Sequence, residues 1–222
     1  MTIETIRTLI VDDHAVVRSG YRSFLQQVPG FEVVAEAENA DDAYAQYKRW
    51  HPDVVIMDIM LQGASGIDAS RRILATHAGA RILIFSMYAS PVLLQQALDV
   101  GVLGAVGKHC DPDTLREAAV AVAQGRRYLD PGMAQSLVFS KYDLEKKAVH
   151  ALSPREFEIF LMLISGSTGD EIAEALSLSV KTIANRASAI RQKLGVSSDI
   201  QLVKLAHEAG IVPWIRPNFT PN

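Results

Sequence analysis

The sequence predicts a doubly wound, five-stranded parallel α/β sheet followed by a small all-α domain. Three observations carry that reading. Apolar runs of strand length alternate with helix-periodic segments five times over roughly the first 125 residues. Val54-Val55-Ile56-Met57 is apolar throughout, as a strand covered on both faces of a parallel sheet must be. From Leu152 onward every start and stop signal is helical.

The elements follow in order. Arg7 to Val11 is a short strand ending in Asp12-Asp13. His14 to Val28 has apolar residues at Val17, Tyr21, Phe24 and Val28, a helical spacing, before Pro29-Gly30 stops it. Phe31 to Ala37 is the second strand. Asn39 caps a helix to about Trp50, and His51-Pro52-Asp53 closes it. The central strand, Val54 to Met57, delivers Asp58. Gly63 and Gly66 then mark a loop, and a helix runs from about Ile67 to Thr76. Arg81 to Phe85 is a strand ending at Ser86, with a helix over Pro91 to Val100. Leu103 to Val106 is a strand ending near Lys108. Its helix runs from Asp111 to Gln124, with Asp111 as N-cap and Pro112 at the first position.

Composition bounds the rest. The chain has 222 residues, 49% hydrophobic and 21% charged, a globular balance with room for two domains. Its formal charge of −3 is uneven: residues 1–130 carry 12 Lys+Arg against 16 Asp+Glu, while residues 151–222 carry 7 of each. A pI of about 6.1 therefore gives no global sign of nucleic acid, and local pattern must supply it. A single cysteine, Cys110, excludes an intramolecular disulfide and a cysteine-based zinc cluster. The start has no basic region followed by an apolar run, and no uncharged segment approaches the ~20 residues of a membrane helix. The expectation is a cytoplasmic protein with no membrane partner.

Right-handed crossovers bring the carboxyl ends of all the strands to one edge, where open α/β sheets hold their ligands. Asp12-Asp13, Asp58, Ser86 and Lys108 close four different strands there. Clustered carboxylates need a hard cation, and Mg²⁺ takes oxygen ligands while keeping waters that a phosphoryl group can replace. A carboxylate can be a nucleophile, a lysine neutralises phosphoryl oxygens, and a hydroxyl adds a donor. The set reads as a phosphoryl-transfer site.

With these residues, the segment over 5–128 resembles the flavodoxin-like receiver domain of two-component response regulators. The resemblance implies Asp58 as phosphoacceptor, Lys108 as the phosphoryl-binding lysine and Ser86 as the switch hydroxyl. It implies Mg²⁺ held by Asp12, Asp13, Asp58 and the backbone carbonyl of Met60. In receivers, Met60 and Tyr88 would also flank the path of the water that removes the phosphoryl group. Two positions depart from the pattern: Gln62 stands where receivers usually have proline, and Ala105 where they carry a tyrosine or phenylalanine. A magnesium-dependent phosphohydrolase of the haloacid dehalogenase-like family is the enzyme alternative. It places its two acids as Asp-x-Asp on one strand, whereas here the acids are adjacent and the acceptor lies on another strand.

Residues 131–150 read as a linker, opened by Pro131-Gly132, with a short helix over Met133 to Phe139. Over 151–210, Ser153-Pro154-Arg155-Glu156 and Thr168-Gly169-Asp170-Glu171 are capping boxes. Leu178-Ser179 turns into a third helix ended by Gly195, and a fourth runs from about Ser198 to Glu208, closed by Gly210. Two helices joined by a tight turn predict a helix-turn-helix. On the third helix Ile183, Ala187, Ile190 and Leu194 form one stripe. Lys181, Asn185, Ser188, Ala189 and Gln192 lie opposite, flanked by Arg186, Arg191 and Lys193. Ala175 to Ser198 holds four cations and no acid. That segregation fits a recognition helix in the major groove of double-stranded DNA, its first turns toward base edges and its cations toward phosphates. Lys181, Thr182, Asn185, Arg186, Ser188, Arg191 and Lys193 are the expected contacts. The quoted motifs, with Glu171-Ile172-Ala173, Ser179 to Ile183 and Lys193-Leu194, resemble the LuxR-type domain that ends NarL/FixJ-type response regulators. Residues 211–222 read as a tail.

The whole predicts a DNA-binding transcription regulator, phosphorylated on Asp58 by a sensor histidine kinase and a homodimer when phosphorylated. Its only catalysis would be assistance to its own phosphorylation and dephosphorylation. A regulator binding DNA without phosphate is the second alternative, kept by Gln62 and Ala105.

Overall fold

A computed structural model describes residues 5–87, 90–140, 149, 151–208 and 211. The chain divides into two compact units, residues 1–139 and 140–222. The first holds β1 (Ile6–Val11), α1 (Ala15–Gln27), β2 (Phe31–Ala37), α2 (Ala40–Trp50), β3 (Val54–Met57) and α3 (Gly66–Thr76). It continues with β4 (Ile82–Ser86), α4 (Pro91–Val100), β5 (Gly104–Gly107), α5 (Pro112–Ala123), β6 (Tyr128–Leu129) and α6 (Pro131–Ser140). The strands form one sheet in the order β2-β1-β3-β4-β5-β6, every pair parallel.

The expected strands and helices are present, and the sheet has one strand more than expected. β6 pairs Tyr128 with Gly104 and Leu129 with Ala105. The chain leaves α5 through Gly125, at φ +75°, and runs back along β5, with Tyr128 N–H donating to Leu103 O and Asp130 N–H to Ala105 O. A two-residue strand beside Arg126-Arg127 has no alternation to read, which is why the sequence hides it. Pro131 also starts a helix where a break was expected. Asp130 Oδ1 accepts from Gly132 N–H at 2.9 Å, and Met133 and Leu137 are buried.

Leu25 of α1 and Leu115, Ala118, Ala119 and Val122 of α5 join Ile10, Val54, Ile56, Leu83, Phe85 and Val106 in one core cluster. All four residues of β3 are buried, which explains its unbroken apolar run. The caps are where the sequence put them: Asn39 accepts from Asp42 N–H, and Asp111 accepts from Thr114 N–H. Those two bonds from Thr114, backbone and hydroxyl, hold the exposed Asp111 carboxyl below the usual range.

The second unit holds α7 (Pro154–Ile164), α8 (Gly169–Ala175), α9 (Val180–Leu194) and α10 (Asp199–Glu208). Both capping boxes close, Ser153 with Glu156 and Thr168 with Glu171. The turn between α8 and α9 places Ser177 at φ +52°, and α9 ends on Gly195 in the left-handed region. Phe157 and Phe160, both fully buried, anchor the unit's core. Gly210 and residues 212–222 lie outside the described residues. Among the described residues, no helix is long and apolar enough to cross a membrane.

Candidate functional site

Register builds the acidic site. Val11 pairs with Met57, so the residues that follow, Asp12 and Asp58, emerge side by side; Asp58 N–H donates to Val11 O at 2.9 Å. Ser86 pairs with Gly107, and Lys108 N–H donates to Ser86 O at 3.0 Å. The site thus lies outside the carboxyl ends of β1 and β3, where the strand order reverses from β2-β1 to β3-β4.

Lys108 Nζ lies 2.5 Å from Asp12 Oδ2 and 2.6 Å from Asp58 Oδ2, with all three side chains almost fully buried. Met60 N–H reaches Asp58 Oδ1 at 3.3 Å, and the Ser86 hydroxyl hydrogen-bonds the Asp58 carboxylate. Burial pushes the Asp58 carboxyl up, helped by the Asp12 charge and opposed by Lys108 and Ser86. Burial acts to lower Lys108, but Asp58 and Asp12 outweigh it and hold the ammonium above its usual range. Asp12, Asp13 and Asp58 against Lys108 leave two negative charges when all four are ionised.

Asp13 Oδ1 is buried and has no hydrogen bond among the described residues. His14 Nδ1 stands 2.7 Å from it, an ion pair when the imidazole is protonated but not a hydrogen bond. Oxygens of Asp12 and Asp13 and a ring nitrogen of His14 lie within 4.8 Å of one another. A buried carboxylate oxygen without a hydrogen bond, beside surplus negative charge, is what a cation site presents. His14 is a group the sequence reading missed, because adjacent Asp-Asp-His has none of the spacing that marks histidine ligands.

Two scaffolding details were equally hidden. Arg18 donates to Asp12 O at 2.6 Å and is itself held by Glu36 at 3.2 Å, which fixes the β1 end. Gly66 packs against Asp58 so tightly that a Cβ there would stand 1.8 Å from Asp58 O. Tyr21 reaches Lys108 O at 3.5 Å and meets Phe85 edge-on, and burial raises its hydroxyl's pKa.

In the second unit the stripe of α9 is as expected: Ile183, Ala187, Ile190 and Leu194 are buried. Lys181, Asn185, Ser188, Gln192 and Lys193 are exposed, and Thr182, Arg186, Ala189 and Arg191 half-buried. Thr182 is engaged at the helix start, its N–H donating to Ser179 Oγ. Arg191 reaches Asp199 Oδ1 through Nε and Nη2, at 3.0 and 2.8 Å, and Lys193 bonds Glu156 Oε2 at 2.7 Å.

A model of the response regulator receiver domain matches residues 8–120, and one of the bacterial regulatory proteins of the luxR family matches residues 150–206. The chain is a response regulator. The response regulator UvrY of Escherichia coli K12 is 33% identical over 208 residues, covering 93% of this chain and 95% of that one. The transcriptional activator protein ExaE of Pseudomonas putida is 35% identical over 207 residues, covering 92% and 97%. Among solved structures, the response regulator ChrA of a heme-sensing two-component system has TM-score 0.54 and 32% identity, over 94% of this chain and 100% of that one. RcsB of Salmonella enterica serovar Typhimurium, bound to a promoter in the presence of the phosphomimetic BeF₃⁻, has TM-score 0.58 and 27% identity, over 92% and 98%.

Within this response regulator, Asp12, Asp58, Ser86 and Lys108 come together in one cluster, and Asp13 borders it. Ala105 is fully buried on β5, between Ile84 and Leu129, with no aromatic ring of its own to move. Gln62 is exposed and bridges to Asn39. Tyr88 lies outside the described residues.

Proposed function

We propose that this response regulator accepts a phosphoryl group on Asp58 from the phosphohistidine of a sensor kinase, and that this charge controls DNA binding by the second unit. One observation carries the reading: a buried carboxylate at the sheet's switch point, bonded to Lys108 and Ser86 beside a second, under-compensated acidic pair. An Asp58 oxygen attacks phosphorus, an O–P bond forms, and the donor's P–N bond breaks with its electron pair leaving on the imidazole. Lys108 holds Asp58 ionised and, once the carboxylate has become an acyl phosphate, is left to face the phosphoryl oxygens as a point charge. The Ser86 hydroxyl, already on Asp58, supplies a further donor to the same oxygens.

Asp12, Asp13, Asp58 and the Met60 carbonyl would hold Mg²⁺, whose two positive charges match the two surplus negative ones. When bound, the ion neutralises charge on the transferring group. The regulator would act in the cytoplasm on double-stranded DNA, as a homodimer once phosphorylated. Intact mass after acetyl phosphate and Mg²⁺ tests the acceptor. One added phosphoryl group in the wild type and none in Asp58→Asn supports it; no addition to the wild type, or addition to both, overturns it.

A further inference from the structure

The exposed face of α9 carries a chemistry of its own. Two rows run side by side along it at i, i+3 and i, i+4 spacing. One is apolar, Val180 (48% exposed) and Ala184 (exposed). The other is polar, Lys181, Asn185, Ser188 and Gln192, all exposed. Two of the cations that would compete for base edges are engaged elsewhere. Arg191 is held through two nitrogens by Asp199, and Lys193 by Glu156. Arg186 is half-buried on the flank. Lys181, near the helix start, is thus the one exposed cation of α9 that no ion pair restrains among the described residues.

We infer that this face reads A·T base pairs at the middle of each half-site. The inference rests on the DNA-binding reading and adds the bases. In the major groove, adenine offers an N7 acceptor and an N6 donor, the pattern that a carboxamide meets with two bonds; Asn185 has that group, free and exposed. Thymine offers a C5 methyl, which small apolar side chains contact; Ala184 and Val180 supply them. Guanine is read by arginine or lysine through O6 and N7, and Lys181 is the exposed cation placed to do so. The half-site therefore carries a guanine contact at the end under the start of α9, and A·T pairs beneath Ala184 and Asn185.

The test is selection from a randomised duplex library by the full chain, treated with acetyl phosphate and Mg²⁺, in parallel for wild type, Asn185→Ala and Asn185→Arg. Both substitutions are on an exposed helical position and introduce good helix formers, so the fold is retained, as circular dichroism will show. The wild type should enrich a half-site with adjacent A·T pairs at its centre. Asn185→Ala should lose preference at one of them by on the order of tenfold. Asn185→Arg should convert that same pair to G·C and leave the others unchanged. Enrichment of G·C at the centre by the wild type, or an unaltered motif from Asn185→Arg, overturns the inference while leaving DNA binding intact. Retention of no duplex, even at low salt, overturns the DNA-binding reading and this inference with it.

Discussion

The two units use charge in opposite ways. In the first, Lys108 and its partners Asp12 and Asp58 are almost fully buried and mutually bonded, with Asp13 Oδ1 short of a hydrogen bond. In the second, Arg191–Asp199 and Lys193–Glu156 tie cations at the surface, each pair with a substantially exposed member. A buried surplus of negative charge is costly unless something of the other sign arrives, and the proposed Mg²⁺ would supply it. Surface pairs contribute little to stability, but they decide which cations remain available to a polyanion.

The largest effects should fall in the buried cluster. Lys108→Met leaves carboxylates buried without their cation and should cost about 3–5 kcal/mol in the absence of metal, read by urea denaturation of the full chain. A loss below about 1 kcal/mol would mean that the cluster is solvated like the surface pairs, and the contrast would vanish. Gly66→Ala comes next. Its new methyl meets the Asp58 carbonyl, so a loss of about 3 kcal/mol is expected. Gly169→Ala, in the second unit with nothing within 4 Å, should change stability by no more than about 1 kcal/mol. Equal losses at the two glycines would remove the case that Gly66 positions Asp58.

A smaller effect sharpens the kinetics of the same cluster. Met60 is buried beside Asp58 and offers only a thioether, a poor acceptor for orienting an attacking water. Met60→Asn should speed loss of the phosphoryl group about tenfold, equivalent to about 1.4 kcal/mol of barrier. The decay of phosphorylated protein after donor removal, at fixed Mg²⁺, measures it; an equal or longer lifetime contradicts it.

The smallest effect belongs to the surface. Burial acts to raise the Glu156 carboxyl, but the bonds from Lys193 and Ser153 outweigh it and hold it below its ordinary 4.5. A carboxyl depressed by folding contributes stability above its unfolded value and loses it as pH falls through the lower folded one. Wild type should therefore hold a small advantage over Lys193→Met near neutrality and lose it on acidification below about pH 4.5. A difference that grows on acidification would reverse the sign and contradict the pairing.

Much of this was legible in the chain. Strand-ending Asp12, Asp58, Ser86 and Lys108 were readable because parallel topology sends every strand end to one edge. The α9 stripe was readable because helical periodicity sorts buried from exposed positions without knowledge of neighbours. What was not legible depended on contacts distant in sequence or on backbone proximity. Glu156 and Lys193 are 37 residues apart, and nothing local assigns them to each other. The Arg191–Asp199 pair spans the end of one helix and the start of the next, so its cation reads as a phosphate contact until the fold shows its partner. Gly66 reads as a loop glycine, though its role is set by the Asp58 carbonyl behind it. β6 was too short to show a pattern.

The central claim is that charge on Asp58 governs DNA binding by the second unit. Fluorescence anisotropy of the full chain on one labelled duplex, at fixed salt and Mg²⁺, tests it most directly, with intact mass confirming phosphorylation in each sample. Acetyl phosphate should tighten wild-type binding by about tenfold, some 1.4 kcal/mol, and leave Asp58→Asn unchanged. Identical affinity for phosphorylated and unphosphorylated wild type would contradict the account.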